Sequence, residues 1–169
     1  MKIVSIILLL MNYGGEIPAS QIQKEIESFY NVPVIIKTKD LPYVTYSEEQ
    51  QKYRADKLIA YLVTTYPKSK VVALTSRDLC MYENATVCKT VFALGSLSNI
   101  VSVTSTYRLK KKNLDDRVIK TILHQVGHMY GLEHCETNYP CIMKANMHNT
   151  YHLDKGVKTL CEHCKFLLN

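Results

Sequence analysis

The stretch His124-Gln125-Val126-Gly127-His128-Met129-Tyr130-Gly131-Leu132-Glu133-His134 carries the clearest chemistry in the sequence. In an α-helix each residue turns about 100°, so His124 and His128 lie one above the other on one face. Two imidazole nitrogens so placed can meet one metal ion at about 2.0–2.1 Å. Gly131 follows about a turn later. It can take the left-handed backbone that ends a helix, which would swing the chain back and bring His134 to the same ion. Three neutral nitrogen donors leave a fourth position for water, the arrangement of a catalytic rather than a structural zinc. A histidine pair four apart is common on ordinary helices; the glycine stop and the third histidine make the pattern specific.

Six cysteines are present, and Cys135, Cys141, Cys161 and Cys164 all follow the histidines. Cys161-x-x-Cys164 can present two thiolates to one metal from a single turn, and Cys135 and Cys141 can complete a closed tetrahedral site with Zn–S near ~2.3 Å. Disulfides or independent buried thiols are the alternatives, and a reducing cytosol favours metal thiolates. Such a site would fasten a segment with few apolar side chains, so that metal affinity becomes folding energy. Cys80 and Cys88 stand apart and read as ordinary buried or loop thiols.

Together these residues resemble one family. The histidine stretch is the extended motif H-E-x-x-H-x-x-G-x-x-H of the metzincin metallopeptidases, with Gln125 where the family has Glu. It runs directly into Cys135, then Cys141-Ile142-Met143, then seventeen residues to Cys161-x-x-Cys164. This pattern, covering roughly the C-terminal third, is similar to the archaemetzincins; the gap from Cys135 to Cys141 is one residue longer than is usual there. The resemblance implies two zinc ions per chain: a catalytic one on His124, His128 and His134, and a structural one on Cys135, Cys141, Cys161 and Cys164. It places Met143 in the turn beneath the catalytic zinc, and Gln125 in the general-base position. The family's Glu takes a proton from the zinc-bound water and passes it to the leaving amine. An amide cannot do this near neutral pH, and loss of a general base costs ~10²–10⁴-fold. The implied function is a zinc metallopeptidase of weak or absent activity, or a non-catalytic module that keeps the cleft to hold peptides. An extended peptide would pair with an edge strand, for which Val91–Leu97 is the candidate. Tyr130 and Tyr139 are near enough in sequence to stabilise an oxyanion, though packing is the ordinary role of each.

The elements that must position these groups follow from periodicity. Ile3–Leu10, Val34-Ile35-Ile36 and Val71–Leu74 read as apolar strands. Capping boxes at Ser20-x-x-Gln23 and Ser47-x-x-Gln50 predict helices to about Tyr30 and Tyr66, the second stopped by Pro67. In the first, Ile22, Ile26 and Phe29 share a face; in the second, Leu58, Ile59, Leu62 and Val63 turn inward. Val87–Leu97 and Ile100–Thr106 predict an antiparallel pair at the sheet edge, joined by a turn from Gly95 to Asn99. Asn113-Leu114-Asp115-Asp116 caps a helix that runs to Gly131, anchored by Val118, Ile122 and Val126. A short helix near Lys155–Leu168 closes the chain. The expected fold is α/β (α+β), a mixed twisted sheet with an antiparallel edge strand, a zinc-binding active-site helix and a small Cys-rich C-terminal lobe. By the resemblance it is metzincin-like. Residues 1–169 form one domain, with an α/β part over 1–131 and a zinc-stapled part over 132–169.

With 169 residues, 47% of them hydrophobic and 21% charged, the composition is that of a soluble globular domain. The longest apolar stretch, residues 3–11, is far shorter than the ~20 residues of a membrane span, and no small-x-small cleavage site follows it. A net charge of +6 is modest, and Lys144, Lys155, Lys158 and Lys165 are spread out without interleaved aromatics, unlike a nucleic-acid surface. The expectation is a cytoplasmic monomer that meets a peptide or protein substrate, with neither nucleic acid nor membrane as partner.

Overall fold

The computed structural model describes residues 5–84, 86–96, 100–109, 112–145 and 149–168. Strand β1 (Ile6–Met11) is an unbroken apolar run and needs cover on both faces. Its side chains alternate between two cores. Ile6 and Leu8 face the layer of α1 (Ala19–Tyr30) and α3 (Leu114–Met129), whereas Ile7, Leu9 and Met11 face α2 (Ala55–Thr65). Strands β2 (Val34–Lys39) and β5 (Lys70–Thr75) pair parallel to β1, and β9 (Val101–Ser105) pairs parallel to β5. Strand β8 (Ala93–Gly95) closes the edge antiparallel to β9, giving the order β2-β1-β5-β9-β8. The mixed sheet with an antiparallel edge strand is therefore present as the sequence pattern predicts.

A second sheet, of order β3-β4-β6-β7, is new. It comprises β3 (Tyr46–Ser47), β4 (Lys52–Arg54), β6 (Leu79–Tyr82) and β7 (Cys88–Val91), and it corrects three readings. Ser47 opens a hairpin turn rather than a helix: its Oγ accepts the Gln50 N–H at 3.4 Å, Gln51 adopts positive φ, and α2 starts only at Ala55. A serine hydroxyl three residues ahead serves a turn as well as a cap. The apolar run from Val87 is split, because the chain leaves β7 at Phe92 and joins the other sheet as β8. Cys80 and Cys88 are a disulfide, tying β6 to β7 across eight residues, and not the free thiols expected.

Helix ends also differ. Helix α1 starts at Ala19 behind Pro18 with no side-chain cap, so Ser20 sits inside its first turn. Helix α3 begins after Asn113 with Asp115 and Asp116 in its first turn, where carboxylates favour the helix dipole. The chain closes with two helices, α4 (Thr150–Lys155) and α5 (Glu162–Leu168), instead of one. Ile3 and Val4, the turn residues 97–99 and the lysines at 110–111 lie outside the described residues.

The C-terminal segment packs into the core beneath α3. Leu132, Ile142, Met143, Leu153, Leu160 and the four late cysteines are buried together with Val118, Ile122 and Val126. Arg117 of α3 clamps Asp154 of α4 through two hydrogen bonds of 2.7 and 2.6 Å, and that partner holds the Asp154 carboxyl down at about 2. Lys120 Nζ donates to the Leu153 carbonyl at 2.9 Å. Among the described residues no helix is long and apolar enough to cross a membrane.

Candidate metal centre

Helix α3 presents the site. Val118, Ile122 and Val126 are fully buried, which fixes the helix's rotation and sends His124 and His128 toward β8. The helix ends in a Schellman arrangement: Gly131, at φ 85°, donates its N–H to the His128 carbonyl at 3.0 Å, and Leu132 donates to the Gly127 carbonyl at 3.1 Å. Lys70 Nζ donates to the Met129 carbonyl and lies 4.8 Å from the Tyr130 ring centre, a cation at the negative end of the helix. This reversal delivers His134. The three imidazole centres stand 4.6, 5.0 and 5.4 Å apart, and one nitrogen from each lies within 4.8 Å of the other two.

Hydrogen bonds to carbonyls fix two of the rings. His124 Nδ1 meets the Ile142 carbonyl at 2.8 Å, and His128 Nδ1 meets that of Leu132 at 2.7 Å. A carbonyl only accepts, so each Nδ1 carries the proton and each Nε2 is left as a lone pair. Yet the two Nε2 atoms face each other at 3.0 Å. Two lone pairs at that distance repel unless a cation lies between them, and a tetrahedral ion with bonds of about 2.05 Å spaces its ligands about 3.3 Å apart. Burial draws His124 down to about 4 and lowers His128 as well, so both rings are neutral, metal-binding donors near pH 7. The residues present fit a divalent metal ion.

Met143 is fully buried against α3 at Gly127. A Cβ at position 127 would collide with the Met143 sulfur and lie 3.0 Å from its terminal carbon and from the Tyr30 hydroxyl. Glycine inside a helix costs about 1 kcal/mol relative to alanine; close packing of Met143 is what requires it here.

Cys135, Cys141, Cys161 and Cys164 are free thiols, all buried, with their sulfurs within 4.8 Å of one another. Cys135 and Cys161 are 3.6 Å apart, close to the ~3.8 Å between ligands of a tetrahedral ion with 2.3 Å bonds. Burial pushes the Cys141 and Cys164 thiols up. Burial acts the same way on Cys161, but hydrogen bonds from the Cys164 backbone, Thr137 and the neighbouring thiols outweigh it and bring Cys161 to about 6. One thiolate is already favoured, and a divalent ion would draw off the remaining protons.

The two clusters share backbone twice. His134 and Cys135 are adjacent, and residues 141–143 form a second bridge. Cys141 belongs to the thiol cluster, the Ile142 carbonyl holds His124, and the Met143 carbonyl accepts the Cys135 N–H at 2.8 Å.

A cleft of about 540 Å³ opens over the histidines. One wall is formed by β6, β7 and β8 through Met81, Glu83, Lys89, Val91 and Phe92 to Gly95, and the other by Thr121, His124, Gln125 and His128. The edge strand proposed from sequence lines the cleft as far as Ser96. Among the described residues, the C-terminal segment contributes His134 and Ala145 to its lining. Gln125 points across to β8, its Oε1 2.9 Å from where Gly95 would carry a Cβ. Tyr130 stacks on Tyr30 at 5.7 Å and Tyr139 is exposed; neither lines the cleft.

The family model for peptidase family M54 matches residues 20–169. The chain belongs to peptidase family M54. Its relatives bear out the archaemetzincin resemblance. The archaemetzincin of Halobacterium salinarum is 30% identical over 167 residues, covering 89% of this chain and 93% of that one. The archaemetzincin structure from Methanopyrus kandleri is 25% identical with a TM-score of 0.77, covering 99% of this M54 chain and 94% of its own. A zinc-dependent peptidase from Methanocorpusculum labreanum, 23% identical, shares the fold with a TM-score of 0.78 over 97% of this chain and all of its own.

Sequence reading passed over four contributors to this M54 site: the Ile142 and Leu132 carbonyls, Gly127 and Gly95. Backbone acceptors leave no mark on residue type. Gly127 did leave one, a glycine in the interior of a helix.

Proposed function

We propose that the cleft is a zinc metallopeptidase site in which hydrolysis is weak or absent because Gln125 replaces the general base. His124, His128 and His134 would hold the catalytic zinc, and Cys135, Cys141, Cys161 and Cys164 a second, structural one. The facing Nε2 lone pairs of His124 and His128 carry this reading most directly. Zinc bound there supplies a Lewis acid for a peptide carbonyl and lowers the pKa of a bound water. The chain's own residues do the rest. The Ile142 and Leu132 carbonyls orient the imidazoles and fix their tautomers. The edge strand β8 offers backbone groups along which an extended peptide can lie, and Met81, Val91, Phe92 and Leu94 give an apolar wall for its side chains. Gln125 can donate or accept a hydrogen bond at the reacting group but cannot take up and return its proton.

The second reading, a module that holds peptides without cutting them, draws support from the Gln125 amide lying against β8, where a peptide backbone would run. Gln125→Glu separates the two. With zinc content matched, cleavage of a mixed peptide library should rise ~10²–10⁴-fold over the native chain. Unchanged inactivity of a zinc-loaded Gln125→Glu variant would favour the binding module.

A further inference from the structure

Two buried hydroxyls stand without partners behind the cleft. Ser102 and Thr104 of β9 are 1% and 0% exposed, and neither hydroxyl makes a hydrogen bond among the described residues. Buried hydroxyls in native proteins almost always find an acceptor or donor, so an orphan beside a functional site calls for a reason. Both face α3, because their β5 neighbours Val72 and Leu74 belong to the core beneath that helix. Ser102 is directly opposite Gly95 in the β8–β9 pair. Directly opposed residues send their side chains from the same face, with Cβ atoms about 4.5–5.5 Å apart. The space over Gly95 is the space Gln125 Oε1 fills, 2.9 Å from the position of the missing Cβ. Thus the side chain of residue 125 overlies the Gly95–Ser102 pair, and turns about its own bonds and those of Ser102 bring the hydroxyl to the amide oxygen.

We propose that Ser102 is a positioning residue for position 125. Its hydroxyl donates to the side-chain oxygen there, and Gly95 leaves the room in which that oxygen lies. Held this way, the oxygen stays against the sheet and the amide nitrogen is turned to the cleft. The proposal rests on the M54 cleft being the functional site. Thr104 is the internal control: equally buried and equally unpaired, it is opposite Ala93, where a Cβ is present.

The direct test is NMR of the Gln125 side-chain amide in the full-length, metal-loaded chain. Ser102→Ala should move both amide-proton signals and hasten their exchange with water, while Thr104→Val leaves them in place. Gly95→Ala should also move them without unfolding the chain, because the atom it displaces is the free end of a flexible side chain. Identical Gln125 signals in native and Ser102→Ala protein, or equal shifts in Thr104→Val, would overturn the assignment. If Gln125→Glu shows no cleavage, the peptidase reading fails, and the NMR comparison still decides the role of Ser102.

Discussion

The histidine and cysteine clusters lie on either side of one peptide bond, yet they are built in opposite ways. Two of the three histidines come from a single rigid helix whose apolar stripe sets their direction, and the third follows a defined helix stop. That cluster opens onto a cleft, and its members grade from buried His124 to exposed His134. The four cysteines come from loops and the start of α5, and all are buried. The fold positions the histidines, whereas a metal held by the cysteines would position the fold. Preorganised donors with an open face suit chemistry, and a closed sulfur set suits architecture.

Breaking the architectural cluster should do the most damage. Cys164→Ser is expected to lose metal from both clusters, because residues 134–135 and 141–143 serve both, and to lower the melting temperature by ~10 °C or more. His128→Ala should lose only the histidine-bound metal. Metal analysis and thermal melts of the two variants decide this; a Cys164→Ser protein with its histidine cluster fully occupied would break the proposed link.

The Cys80–Cys88 disulfide offers the next contrast, since it staples the cleft wall without touching either cluster. Replacing both cysteines with serine should cost about 2–3 kcal/mol, the value for so short a loop, and leave metal content unchanged. Denaturant melts with and without a reducing dithiol read that cost. Gly127→Ala should cost ~1–3 kcal/mol by overpacking against Met143. Because Met143 follows Ile142, the same change should also weaken metal binding by the histidines, measurable by competition with a chelator.

Acid sharpens the comparison by a smaller step. In protein whose histidine cluster is empty while the sulfur-held metal is kept, His124 is drawn down to about 4 by burial, so the unfolded chain takes up its proton first. Stability is then fully present above the ordinary histidine range near 6.5, declines as pH falls, and stops declining near 4, where the folded form protonates too. Urea melts between pH 7 and 4 should follow this course in the native chain and lose that component in His124→Ala.

Much of the site was legible because its chemistry is written in residue type and short spacing. The His124–His128–Gly131–His134 register needs only helix geometry, and the four late cysteines cluster as their pattern suggests. The sheet's central strands were legible for a related reason: Val71–Leu74 and residues 6–10 are apolar on both faces. The second sheet was not. Strands β3 and β4 are two and three residues long, with half-buried polar and aromatic side chains and no period to detect. Ser47-x-x-Gln50 offers the same hydrogen bond to a turn as to a helix, and here tertiary pairing chose the turn. Cys80 and Cys88 became a pair only once β6 and β7 were set side by side. The hydroxyls of Ser102 and Thr104 look like ordinary strand residues until the register with β8 places one of them opposite Gly95.

The central claim is that two separate divalent ions sit in this chain, one held by nitrogen and one by sulfur. Zinc X-ray absorption on the purified protein, with metal quantified per chain, tests it most directly. We expect two zinc ions, with one shell of nitrogen near ~2.0 Å and another of sulfur near ~2.3 Å in comparable weight. A single zinc surrounded by sulfur alone, or a fully folded chain without metal, would contradict it.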